Sequence, residues 1–168
     1  MSHSHSLNTS KRGSWMYNTV FFFHILGVLA FVSGIVVAGV AFESARRKAE
    51  PSEVATLLGL SRVGVLLVAV GTLLAGGCGL WLVDLGRWHY GSFWVSASIG
   101  LFIAALAIGG LGGQRPKQAR QLAARLSAEG AAVSPQLRAL LDDRRALWQN
   151  YVSLLLVLAI IALMVFKP

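Results

Sequence analysis

The chain is short of charge, of acid and of cysteine. Charged residues fill 13% of its 168 positions, about half of the roughly 25% found in an ordinary soluble domain. Only seven are Asp or Glu. So few carboxylates leave no pair for acid–base work inside the apolar runs and no intramembrane relay of the kind pumps use. The single cysteine, Cys78, excludes an intrachain disulfide. It falls in an apolar run, where a small packing residue is its usual role. The glycine-rich pieces AGGCG and GGLGG are followed by no Gly-Lys-Ser/Thr, so neither is a phosphate loop. No Ser/His/Asp grouping and no nucleic-acid motif is visible. These gaps lean against an enzyme.

What is present is apolar length. Hydrophobic residues make up 55% of the chain, and its mean hydropathy is +0.65. A bilayer core needs roughly 20 apolar residues in helix. Four segments meet that need: Tyr17 to Phe42, Val63 to Val83, Ser92 to Leu111, and Tyr151 to Phe166. The last is short alone, but Trp148 and Tyr151 give it an interfacial edge. The start resembles a signal peptide, but its apolar run is too long and lacks a clean cleavage site, so it reads as a retained span. The expectation is an all-α bundle of four transmembrane helices behind a polar tail over residues 1–16. His3 and His5 in that tail offer a loose copper or nickel site, and a flexible tail is the plainer reading.

Charge sets an expected orientation. One side carries Lys11, Arg12, Arg87 and Lys167. The other carries Arg46, Arg47, Lys48, Arg62, Arg115, Lys117, Arg120, Arg125, Arg138, Arg144 and Arg145. The positive-inside rule puts the second group in the cytoplasm and both termini outside. Trp15, Tyr17, Trp81, Trp88, Tyr90 and Trp94 gather at the outer edge, at headgroup level.

Short amphipathic helices are expected in the cytoplasmic segments, over 52–62 and 116–147. Ala119, Leu122, Ala123 and Leu126 share one face, Gly130 ends that helix, and Ser134-Pro135 starts the next. That helix, QLRALLDDRRALW, can run unbroken into the fourth span. These helices either cap the bundle or lie on the inner leaflet. Arg46, Arg47, Lys48, Arg62, Arg115, Lys117, Arg120 and Arg125 flank the membrane and are expected to meet lipid headgroups rather than nucleic acid, with Arg62 snorkelling to them.

Within the spans, small residues mark packing faces. They are Gly27, Gly34 and Ala38 on the first, Gly64, Gly71, Ala75 and Cys78 on the second, and Ala97, Ser98, Ala105 and Gly112 on the third. Such faces serve a compact bundle. With the lack of catalytic groups they make a structural or accessory subunit, of a homo-oligomer or a larger membrane complex, the leading expectation. A haem- or metal-binding redox protein is the alternative. A small-molecule transporter is the weaker one, since broken helices and intramembrane charges are lacking.

In FFFHILGVLAFVSG one imidazole, His24, sits on the same face as Gly27, Phe31, Gly34 and Ala38. A polar group there is expected to be buried with a partner. Three readings stay open. The ring hydrogen-bonds a neighbouring helix, through a backbone carbonyl or through Ser92, Ser96, Trp88, Tyr90 or Asp84. It ligates a metal, foremost haem iron, with His89 as a second ligand. Or it handles protons.

FFFHILGVLAFVSG, GRWHYGSFWVSASIGLFIAALAIGGL and LLLVLAIIALMVFKP together resemble the DUF2269 family of bacterial small membrane proteins. The resemblance runs from about Tyr17 to Pro168 and implies a four-span bundle without an assigned activity. The first-span pattern is also similar to CopD-type copper-resistance proteins and HemJ-type haem-pathway oxidases. That similarity implies a haem role for His24 alone, because no second histidine lies inside a span.

Overall fold

The computed structural model describes residues 3–166, with side chains described at 14–110, 113–143 and 148–166. Six helices and no strand are found among them: α1 His3–Arg46, α2 Pro51–Leu85, α3 Phe93–Gly112, α4 Gln114–Ala128, α5 Pro135–Leu141 and α6 Arg144–Phe166. Four stretches are long and apolar enough to cross a membrane: Ser14–Arg46, Pro51–Leu85, Phe93–Ala128 and Trp148–Phe166. The protein is thus an all-α, four-span bundle.

Helix boundaries differ from the expected ones where chain chemistry allows continuity. The tail does not break before the first span, since α1 begins at His3. Pro51 takes the first turn of α2, where its missing N–H is harmless. The segment over 52–62 is therefore the start of α2 and not a separate helix. The run from Ser134 into the fourth span is broken. Ser134 Oγ accepts from the Leu137 N–H and starts α5, but α5 stops at Leu141 and α6 begins at Arg144. Asp142 and Asp143 occupy the break, with ion pairs Arg46–Asp142 at 3.9 Å and Arg115–Asp143 at 3.4 Å. Aspartate is a poor helix former, and acid at a helix C-terminus opposes the dipole.

The bundle consists of two antiparallel pairs. α1 and α2 form the tighter one, because glycines let their backbones touch. A Cβ at Gly34 would lie 2.6 Å from the Gly64 carbonyl oxygen, and one at Gly64 would lie 2.9 Å from the Ala38 nitrogen. Gly27 meets the Ala75 backbone and Gly71 that of Phe31. α3 and α6 form the second pair. Phe31 of the first and Phe102 of the second meet with centroids 5.8 Å apart. Val157 joins Phe31 and Ile35 in a small core there.

A separate core closes the end of the bundle that carries most of the arginines, here the basic end. Phe42 and Ala45 of α1, Val54 and Leu58 of α2, Ala119 and Ala123 of α4, and Leu137 and Leu141 of α5 pack together. The apolar face of α4 is spent on this contact, with Leu122 and Leu126 against it. α4 and α5 therefore cap the bundle.

Candidate functional site

His24 is 6% exposed. Its Nδ1 lies 2.9 Å from the Ala75 carbonyl oxygen of α2. A carbonyl only accepts, so Nδ1 carries the proton and Nε2 presents a lone pair in the neutral ring. Room for the ring comes from Gly79, whose added Cβ would lie 3.1 Å from the imidazole Cε1. Of the glycines in AGGCG, Gly79 thus seats the imidazole and Gly76 makes room for the Phe102 ring. Cys78 between them is free and partly buried.

Four of the side-chain partners offered by the sequence, Asp84, Trp88, Tyr90 and Ser96, have contacts elsewhere. Tyr90 donates to Asp84 Oδ1 at 3.0 Å. Ser96 donates back to the Ser92 and Phe93 carbonyls. Trp88 meets Trp94 edge-on at 5.1 Å. The second imidazole also stands apart. His89 is exposed, and it is not among the residues lining the His24 cavity.

That cavity has a volume of about 490 Å³ and lies between the helix pairs in the half of the bundle rich in Trp and Tyr. His24, Phe31, Trp88, Trp94, Phe102 and Met164 are among its walls. Its size falls in the usual ligand-pocket range of roughly 300–1,000 Å³. Met164 is the residue that sequence reasoning passed over. Phe31 and Val157 pack at one depth. α1 and α6 run antiparallel, so His24, seven residues before Phe31, and Met164, seven after Val157, share a depth about 10 Å further along. Met164 is the only methionine of the fourth span, and that was the available signal.

A second cavity, of about 590 Å³, lies between the same pairs nearer the basic end. Phe31 and Leu106 border both cavities. Arg62, Lys117, Arg120, Gln149, Asn150 and Ser153 line the second. Four of the other predicted headgroup cations are paired. Arg46 and Arg47 reach Glu43 at 3.0 and 3.1 Å, and Lys48 reaches Glu53 at 3.1 Å. Arg115 pairs with Asp143, and Arg125 is exposed near the end of α4.

The small residues divide by face. Ser98 and Ala105 are buried and Ala97 is half-buried, while the side of Gly112 lies outside the described residues. The side chains of His3, His5, Lys11, Arg12, Arg144 and Arg145, and residues Lys167 and Pro168, also lie outside them.

Helical length, apolar surface and the two-pair architecture define a small multi-span integral membrane protein. Its sequence belongs to the DUF2269 family, described as predicted integral membrane proteins, whose model matches residues 18–168. Comparison with curated proteins and with solved structures finds no match.

Proposed function

We propose that this protein holds a planar, mostly apolar cofactor in the cavity beside His24, and that the cofactor is a haem. The observation that carries the reading is the His24 geometry. Metal-binding histidines commonly donate their second ring N–H to a carbonyl, which fixes the tautomer and aims the free nitrogen. His24 has that arrangement, with Nδ1 committed to Ala75. Among the described residues no three His, Cys, Asp or Glu side chains gather as a metal site, so a metal here must bring most of its own ligands, as a macrocycle does. Met164 on the opposing pair offers a thioether, the partner of histidine in one class of haem proteins. A bound haem supplies one-electron chemistry. The chain supplies orientation, a nitrogen ligand and an apolar wall that excludes water. In this reading the protein sits in a bacterial plasma membrane with its basic end in the cytoplasm and both termini outside.

The test is a spectrum of protein purified in mild detergent, oxidised and then reduced, with haem added where little is retained. The expected result is a Soret band that is lost in His24→Ala and altered in Met164→Leu. A featureless spectrum from folded wild-type protein with haem present overturns the reading.

A second reading is an accessory subunit of a homo-oligomer or a larger membrane complex. It is supported by an open face on α3, where Ser96, Gly100, Ile103, Ala107 and Gly110 recur at helical spacing and are all exposed. A Cβ on Gly100 or Gly110 meets nothing within 4 Å. Small exposed residues in a span permit close approach of another helix. If this reading holds, Gly100→Leu abolishes cross-linked oligomers and leaves a folded monomer.

A further inference from the structure

We propose that the cavity at the basic end is a binding site for one net-anionic phospholipid, its phosphate held by Arg62, Lys117 and Arg120 and its chains in the apolar space behind them. This site is distinct from the His24 cavity and does not depend on a haem there.

Charge complementarity is the first argument. Among the described residues three cations line one cavity, and no carboxylate does. Among the described residues none of the three makes an ion pair, whereas Arg46, Arg47, Lys48 and Arg115 all do. Arg62 and Arg120 are close enough for their charges to repel. Like charges converging on an apolar cavity need an anion, and a phosphate oxygen accepts strongly from guanidinium and ammonium groups. A phosphate that also carries a balancing amine leaves three cations under-compensated, which favours a net-anionic head.

The second argument is an orphan hydroxyl. Ser153 is 4% exposed, and its Oγ has no hydrogen-bond partner among the described residues. It lines this cavity. A buried polar group without a partner is costly unless a ligand or water completes it. Ser153 sits one helical turn deeper than Gln149 on α6. The linkage oxygens of a phospholipid follow its phosphate at about that depth. Beyond them Phe31, Ile35, Val65 and Leu106 offer only hydrocarbon contact.

The test uses the full chain in mild detergent and native mass spectrometry with phosphatidylglycerol, phosphatidylcholine or inorganic phosphate added. Phosphatidylglycerol is expected to stay bound at one per chain while phosphatidylcholine and inorganic phosphate do not. The double variant Arg62→Gln, Arg120→Gln is expected to weaken that binding roughly thirtyfold. Arg125→Gln, on an exposed residue outside the cavity, is expected to leave it unchanged. Gly109→Leu fills the same cavity without removing a charge. A Cβ there meets only Ser153 Oγ, at 3.8 Å, so this variant keeps the question open to decision if the double variant does not fold. It too is expected to lose the lipid. Equal retention of phosphatidylcholine, or an Arg125→Gln loss as large as that of the double variant, overturns the site in favour of diffuse surface attraction. Full competition by inorganic phosphate overturns it in favour of a soluble anion.

Discussion

Arg138 shows what a single side chain does here. The sequence offers it only as one more positive charge at the basic end. In the structure its guanidinium donates through Nη1 to the Arg46 carbonyl and through Nη2 to the Lys48 carbonyl, both at 3.0 Å. The last carbonyls of a helix lack intrahelical partners, and a cation there also meets the negative end of the dipole. Arg138 on α5 thus closes α1 and fixes the cap to the bundle. Arg138→Ala is expected to cost about 2 kcal/mol, the order for charge-assisted bonds, read as a lowered midpoint of thermal unfolding in detergent. Arg138→Lys restores only part, since an ammonium lacks the planar fork. At the other end, Tyr90 donates to Asp84, and that carboxylate disfavours the phenolate and raises the Tyr90 pKa. A group whose folded pKa is raised stabilises the fold below its unfolded pKa and loses that contribution as pH climbs through the folded one. The loss therefore falls above about pH 10. Ultraviolet titration is expected to place Tyr90 above ordinary tyrosine, and Asp84→Asn to bring it back down.

At the scale of elements, two helix ends solve one problem with different residues. α4 closes with a Schellman turn in which Ala131 N–H reaches the Leu126 carbonyl at 2.9 Å, and Gly130 takes φ +63°. α2 closes the same way, with Trp88 N–H on the Val83 carbonyl at 3.0 Å, yet the left-handed position is Arg87, at φ 53°. The left-handed region costs a side-chain-bearing residue roughly 1–2 kcal/mol. Arg87→Gly is expected to stabilise the fold by about 1 kcal/mol, read as a raised midpoint of thermal unfolding. The strain sits beside the cavity, because the turn brings Trp88 back into its wall. The sequence makes the α4 end legible, since glycine falls where the turn needs it. It hides the α2 end, where Gly86 precedes the strained position by one residue. The spans were legible for a similar reason: about 20 apolar residues leave helix as the way to satisfy the backbone in lipid. The partner of His24 was not. Ala75 carries no polar side chain, and a carbonyl accepting a second hydrogen bond leaves no trace in composition. The break at Asp142-Asp143 was written in the sequence, but the helical periodicity around it obscured it. The close approach of α1 and α2 gives the matching test. Gly34→Val places its Cβ against the Gly64 carbonyl and is expected to cost at least about 1–3 kcal/mol by overpacking, whereas Gly77→Val, with nothing within 4 Å, should unfold like the wild type.

At the scale of the whole molecule, the two cavities exist because the two helix pairs touch at a waist and part on either side of it. Phe102 forms much of that waist. Its ring meets Phe31 of α1, and a Cβ on Gly76 of α2 would stand 3.2 Å from it, so one α3 side chain spans both helices of the first pair. The pairs are held differently. α1 and α2 meet backbone to backbone, while the waist depends on side chains. Truncating Phe102 should therefore separate the pairs before it unravels either. Phe102 is half-buried, so Phe102→Ala is expected to lose about 2 kcal/mol, less than a fully buried phenylalanine, and Phe102→Leu much less. The distinguishing measurement follows two signals on one heating ramp. Far-ultraviolet dichroism reports helix, and a spin-label pair placed on Leu29 of α1 and Leu155 of α6, both exposed, reports the spacing of the pairs. In Phe102→Ala the spacing is expected to widen at temperatures where helix content still matches the wild type. Simultaneous loss of both signals would mean that the bundle folds as one unit, and the cavities would then be fixed features of a rigid wall. Separation first would make the space beside His24 and the space beside Arg62 adjustable together through one ring.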